Sequence, residues 1–452
     1  MSNQPLAANR LVAYAAPAIA LQAMMVPMLM YLPPVYSQVA GMSLSVVGLM
    51  FAIGRAFEAV TDPLIGALSD RTQSRFGPRR VWMAAGTPLA LLATWFLLTP
   101  GPGTTPLYLL LWLVVFYAGW TMVFIPHQTW GGELSGDYHE RTRIAGFRET
   151  GSFVGYLAAA GVPLVYLQLM RGIAAPSFEQ IVDTIGVFFA VTLPVAVGLC
   201  FLRVPVAHAQ RQEHAASWKD LFAVLKRNKP FARLIGAYFI DRCAMGTYFF
   251  VQPLIIAYVL QLTENLLLVA LTNTIAAVLL APVWVPITRR LGKHRTYCVA
   301  NMVTMVSYAL LFVAQPGQLW MAILANMVMG FGNGGTMITP SAMAADTVDH
   351  DELQSGVSQM GGHMAFVAFV FKAGMAFGPL IGATFLAQFG YQQSGQALDP
   401  QGALGIRLCA SWLPIALLVV PIVMMWNFPI DSRRHAEIRR ELDERRRSAA
   451  AG

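Results

Sequence analysis

The sequence predicts an all-α integral membrane protein, with twelve transmembrane helices arranged as two six-helix pseudo-symmetric bundles. Three observations lead there. The chain has 452 residues, of which 56% are hydrophobic and only 12% charged, whereas soluble domains average about 25% charged. So few charges cannot cover the two or three soluble domains that this length would make, which excludes soluble, disordered and fibrous readings. The apolar residues gather into runs of the ~20 residues that a bilayer crossing needs. A polar stretch at 204–230 then divides those runs six and six.

In chain order the spans are expected at 11–38, 43–68, 80–99, 106–130, 144–168, 181–203, 231–258, 263–288, 296–315, 318–341, 357–388 and 404–428. The runs are continuous rather than alternating, which argues against a strand barrel. The start, MSNQPLAANR, lacks the charged n-region and cleavage site of a signal peptide, so the first span is expected to stay in the mature protein. Of the 31 Lys and Arg residues, 25 fall on one side of this arrangement and two, Arg171 and Arg407, on the other. Cytoplasmic loops hold the excess of basic residues, so both termini are expected in the cytoplasm of a plasma membrane (an inner membrane if bacterial). The net charge of +8 is thus a topology signal and not a nucleic-acid footprint. The four cysteines lie in or beside spans with no CxxC spacing and read as packing residues.

The domains expected are a six-helix bundle at 1–203, a cytoplasmic linker at 204–230 containing SWKDLFAVLKRNK, a second bundle at 231–428, and a basic tail at 429–452. The tail RRHAEIRRELDERRR is expected to be a solvated charged helix, with contact to anionic lipid as the alternative. The halves echo one another. PLIGALSDRTQSRFGPRR after the second span pairs with PVWVPITRRLGKHR after the eighth, and GELSGDYHERTRIAG with AADTVDHDELQSG. Twelve spans in two parallel repeats is the pattern of the major facilitator superfamily, whose substrates bind near the midplane between halves.

Eight ionisable residues stand out within or at the edges of spans: Arg55, Glu58, Asp62, Arg148, Glu149, Asp241, Arg242 and Lys372. Each would cost about 2.5–3.5 kcal/mol facing lipid at a helix centre, so they are expected to face a wet cavity or one another. In GRAFEAVTDPLIG, Arg55, Glu58, Thr61 and Asp62 recur at i,i+3 and i,i+4 and share one stripe. Two carboxylates a turn apart with a hydroxyl between can surround a hard cation, or can trade a proton, because like charges that close raise one pKa. A salt-bridged stripe holding helices together is the competing reading.

DPLIGALSDRTQSRFGPRR, IPHQTWGGELSGDYHERTRI, AADTVDHDELQSG and FKAG together resemble the glycoside-pentoside-hexuronide:cation symporter family, of the melibiose permease type. The resemblance spans both halves and implies sodium- or proton-driven uptake of sugars or related solutes by alternating access, by a monomer. It implies a cation site at Glu58 and Asp62, with Thr61 and Thr121 assisting, a coupling lysine at Lys372 and a fifth-span arginine at Arg148. The sugar-gripping aspartates of that type fall, by register, on Gln22 and Phe124 here. Losing both carboxylates argues against a melibiose-like sugar. A vertebrate branch of the family carries lysophosphatidylcholine, so an amphipathic substrate is the alternative, in keeping with Met24, Met25, Met28 and Met30 in the first span.

The remaining candidates are individual. Adjacent helical residues point about 100° apart, so Asp241 and Arg242 are expected to serve different partners, one the substrate and the other a neighbouring helix, with an inter-helix salt bridge as the equal alternative. Trp120 and Tyr31 could stack on a sugar ring or pack. His127, beside Pro126, reads first as a packing residue. Gly66, Asp70, Arg71 and Arg79 form a basic turn that reads as a cytoplasmic gate latching one half to the other. Lys372 is expected to balance the acidic pair, with Arg55 and Arg148 linking it to the substrate cavity beside Glu149. No Ser-His-Asp order, nucleotide loop or metal-ligand cluster is present, so neither an enzyme nor a cofactor is expected. The partners are a small polar solute, the coupling cation and the bilayer.

Overall fold

The computed structural model describes residues 6–135, 137–206, 225–355, 360–391 and 398–451. Most of the amphipathic linker segment lies outside them, as do parts of the 4–5 and 10–11 loops. The described residues are helical throughout, with no strand. The helices are α1 (Ala8–Met30), α2 (Leu44–Arg71), α3 (Pro78–Leu98), α4 (Pro106–Glu133), α5 (Tyr138–Pro163) and α6 (Phe178–Arg203), followed by α7 (Lys229–Leu254), α8 (Leu266–Leu280), α9 (Lys293–Val313), α10 (Leu319–Ser355), α11 (Met360–Gln388) and α12 (Pro400–Ala410). The last of these continues as Trp412–Trp426, and α8 continues through a 3-10 turn into Trp284–Leu291. Among the described residues, eleven helices are long and apolar enough to cross a membrane. The seventh of the twelve expected helices, α7, is formed over 26 residues; it is absent from those eleven, and it carries Asp241 and Arg242 in its middle.

Local chemistry sets the helix ends. Ser43, Thr105 and Asp137 each accept a backbone N–H at the start of α2, α4 and α5, and Ser177 with Gln180 forms a capping box on α6. The turns before α3 and α9 both need a left-handed residue, supplied by Gly77 at φ +94° and Gly292 at φ +80°. These are the glycines of the repeated loop motif.

Close helix contacts repeat too. A Cβ on Gly119 of α4 would lie 2.5 Å from the backbone of Ala90 on α3, and one on Gly332 of α10 would lie 2.9 Å from the Ala300 carbonyl of α9. Likewise a Cβ on Gly155 would strike the Ile19 carbonyl of α1, and one on Gly378 of α11 the Gly246 backbone of α7. Small residues at helix crossings are how membrane helices gain packing without a hydrophobic drive between them. The pairs 3–4 and 1–5 therefore match 9–10 and 7–11.

The chain packs as two units, one of Met1–Glu213, Phe249–Leu271 and Gly382–Gly405, the other of His214–Tyr248, Thr272–Ile381 and Ile406–Gly452. Segments 249–271 and 382–405 join the first unit through specific contacts. Gln38 donates to the Tyr258 hydroxyl at 2.6 Å, Gln168 to the Glu264 carbonyl at 2.6 Å and Ser45 to the Ala383 carbonyl at 3.3 Å.

The tail is a charged helix whose basic and acidic residues are mostly exposed, as expected, but one face is docked. Helix α13 (Ser432–Ala451) packs within the second unit. Its Ile438 and Leu442 are buried in a core with Phe231, Leu353 and Phe428. His435 meets Asp349 at 2.9 Å, and Arg445 donates to the Leu353 carbonyl. The two apolar residues sit one turn apart, which places both on one face of an otherwise charged helix.

Candidate functional site

Helix α2 presents its charged stripe as expected. Arg55 donates to Glu58 Oε2 at 2.6 Å, and both side chains are buried. The guanidinium also lies 4.7 Å from the Tyr117 ring centroid and donates toward Met25 Sδ at 2.7 Å. Gly54 makes room for that ring, since a Cβ there would lie 3.1 Å from it. One turn further along, Asp62 accepts from the Thr121 hydroxyl at 2.8 Å. Thr61 does not bridge the two carboxylates with its proton: its hydroxyl donates to the Glu58 carbonyl at 3.1 Å, as β-hydroxyls in helices often do. Both threonine oxygens keep lone pairs, the part of the group a cation would use. Four oxygen-bearing side chains, Glu58, Thr61, Asp62 and Thr121, thus gather on α2 and α4.

A small pocket in the same unit, about 80 Å³ in volume, is lined from α1, α4 and α5, with Gln22, Phe124, Gln128, Arg148, Glu149 and Ser152 carrying its chemistry. Arg148 and Glu149 pair with each other at 2.5 Å. Among the described residues, the side-chain amides of Gln22 and Gln128 make no hydrogen bond, so they offer donors and acceptors to the pocket. His127 is a lock between helices, as its packing reading implied: Nε2 donates to the Tyr14 carbonyl at 2.7 Å, and the Tyr14 hydroxyl donates to the His127 carbonyl at 3.1 Å. Trp120 is buried and stacks on Phe124, and Tyr31 stacks on Phe178, so both act in packing. Met24 and Met28 are fully buried as well.

Arg55 and Arg148, expected to link the acidic pair to the substrate cavity, each hold a carboxylate, Glu58 and Glu149. Lys372 lies half-buried on α11, in the second unit.

The expectation for Asp241 and Arg242 is corrected. The two do not go separate ways: Arg242 donates to Asp241 Oδ1 at 2.8 Å, although the residues are adjacent. The long arginine arm reaches back across the 100° between them. Tyr297 of α9 donates to Asp241 Oδ2 at 2.6 Å and Arg242 donates to Thr336 of α10 at 3.1 Å, so the pair braces three helices.

At the 2–3 turn, Arg79 pairs with Asp70 at 2.5 Å and Glu133 at 2.6 Å and donates to Ser69, all within the first unit. Arg71 is exposed, and Gly66 faces Ile125 of α4. The second unit repeats the device with Lys293 on Asp346 at 2.6 Å, which His435 of the tail also approaches. Glu133, Lys293 and Asp346 were visible in the repeated motifs, and Gln128 lies in one of the family motifs; Tyr117 and Ser152 carried no sequence signal, and Met25 gave none for contact with Arg55. No group of three or more metal-ligating His, Cys, Asp or Glu residues occurs among the described residues.

Residues 13–432 match the family described as MFS/sugar transport protein. A glucuronide carrier protein homolog of Escherichia coli (strain K12) is 27% identical over 433 residues, covering 92% of each chain. A sodium-dependent lysophosphatidylcholine symporter of Danio rerio is 24% identical, over 87% of this chain and 82% of its own. Among solved structures, the nucleoside transporter NupG superposes with a TM-score of 0.69 at 13% identity, covering 94% of this chain and all of that one.

Proposed function

Because the chain belongs to the MFS/sugar transport protein family, we propose that it is a symporter which uses a sodium or proton gradient to take up a sugar acid by alternating access. The resemblance of its motifs to the glycoside-pentoside-hexuronide:cation symporters agrees with that membership and with the symporters among its relatives. It is a multi-pass membrane transporter. In this reading both termini are cytoplasmic, which the positive-inside count supports, and the working form is a monomer.

The observation that carries the reading is the α2 stripe. One arginine and two carboxylates give it a single net negative charge, which one sodium ion or one proton matches, and Thr121 is already bonded to Asp62. Cation binding there relieves repulsion between the carboxylates and favours the arrangement that accepts solute, so each ligand strengthens the other. The pocket beside it supplies a cation, two amides and a hydroxyl, a polar set suited to a ring with several hydroxyls and a carboxylate. A lysolipid is the second reading, motivated by the Danio rerio relative; the buried methionines of α1 give it no surface.

The test is uptake by proteoliposomes of the purified protein. Labelled D-glucuronate should accumulate under an inward sodium or proton gradient. Glu58→Gln and Asp62→Asn should each lower gradient-driven accumulation by about a hundredfold while protein still inserts, the scale expected when a buried charge site loses one member. Undiminished accumulation in both variants would sink the cation assignment. Lysophosphatidylcholine uptake without glucuronate uptake would favour the second reading.

A further inference from the structure

Of the arginine–carboxylate pairs among the described residues, three involve the span residues singled out from the sequence, and one of these is built unlike the other two. Arg55–Glu58 is 6% and 0% exposed, and Arg242–Asp241 is 1% and 4% exposed. Each is held by partners on other helices. Arg148–Glu149 is 18% and 55% exposed and lines the pocket. No other side chain donates to Glu149 among the described residues, and Ser152 turns its hydroxyl back to the Arg148 carbonyl. An exposed pair of this kind gains little from its own attraction, because water screens it and two long side chains must be held still. The same pocket holds two unengaged amides, Gln22 and Gln128, around the guanidinium.

We propose that Glu149 is a specificity-determining residue that acts as an internal occupant of Arg148, which a carboxylate-bearing substrate displaces on binding. The inference rests on the sugar-acid reading above and adds to it. An incoming carboxylate takes the guanidinium fork with the bidentate geometry that Arg favours, while its hydroxyls engage the amides of Gln22 and Gln128. A neutral sugar brings the hydroxyl contacts but cannot take Glu149's place, so it is discriminated against without any clash. The released Glu149 carboxylate stays on α5.

The experiment measures binding of two probes to purified protein by isothermal titration: D-glucuronate, and methyl β-D-glucoside as the neutral ring. In Glu149→Gln the internal competitor loses its charge. Glucuronate should bind on the order of fivefold more tightly, the scale of an exposed ion pair, while glucoside affinity stays unchanged. Glu149→Asp, which keeps the charge on a shorter arm, should leave the ratio of the two affinities near that of the unmodified protein. Arg148→Gln should abolish the preference for glucuronate. An unchanged ratio in Glu149→Gln, or weaker glucuronate binding there, overturns the proposal, and a general loss of fold would move both probes together in all three variants. If the unmodified protein binds neither probe, the sugar-acid reading itself fails and this inference with it; if it binds both and only the ratio test fails, the sugar-acid reading stands without Glu149.

Discussion

Two buried arginine–carboxylate pairs, Arg55–Glu58 in the first unit and Arg242–Asp241 in the second, are built alike up to a point. In both, the guanidinium lies over a tyrosine ring, at 4.7 Å for Arg55 on Tyr117 and 5.0 Å for Arg242 on Tyr238. In both it also donates toward a methionine sulfur, and its Nε is buried without a hydrogen-bond partner. They differ in what comes next along the helix. Asp241–Arg242 is charge-neutral and tied to Tyr297 and Thr336, which makes it a brace. Arg55–Glu58 is followed one turn later by Asp62, whose carboxylate takes the Thr121 hydroxyl. The same chemistry serves structure where the pair is tied to neighbouring helices on both sides, and can serve coupling where a second carboxylate follows one turn later.

The largest effect should come from breaking the brace. Arg242→Ala leaves Asp241 buried without its counter-charge and should cost about 3–5 kcal/mol, read as a drop in the thermal unfolding midpoint with or without sodium. If that variant matches the unmodified protein, the pair is not structural. Tyr297→Phe is milder. It removes one donor to a charged acceptor and should cost about 1.5–3 kcal/mol in the same measurement, without changing any cation-dependent stabilisation. The smallest effect sharpens the other side of the comparison. Thr121→Val removes the donor to Asp62 and an oxygen from the cation site, a loss of about 1 kcal/mol, so the sodium or proton dependence of stability should shift about fivefold while the midpoint without the ion barely moves. A change in the ion-free midpoint as large as that of Tyr297→Phe would mean the two clusters share one role.

Much of this architecture is legible in the sequence because bilayer thickness imposes lengths that single residues cannot disguise. The repeat was legible through Gly77 and Gly292, Arg79 and Lys293, Glu133 and Asp346, since a turn that needs a left-handed residue and a paired charge leaves little freedom. The α2 stripe was legible from spacing alone. Other parts were hidden for identifiable reasons. Helix register gives Cβ directions but not the reach of an arginine, so Arg242 could fold back onto its neighbour. Register also cannot say whether a threonine hydroxyl points outward or to its own backbone, so the bond from Thr61 to the Glu58 carbonyl was hidden. Met25 and Tyr117 come from other helices to Arg55, and tertiary neighbours of that kind leave no mark in one sequence. The tail misled because its charge density outweighed two apolar residues at i,i+4, although those two decide where it packs.

That docked tail bears on how the protein is made. Ile438 and Leu442 complete a core whose other members, Phe231 and Leu353 among them, are synthesised well before them. Domains assemble as units in the order that synthesis permits, so the inner end of the second unit can close only after residues 432–442 have cleared the ribosome, with its earlier helices already inserted. Until then Asp346 and Asp349 wait without His435, and the latch at Lys293 forms ahead of the helix that seals it.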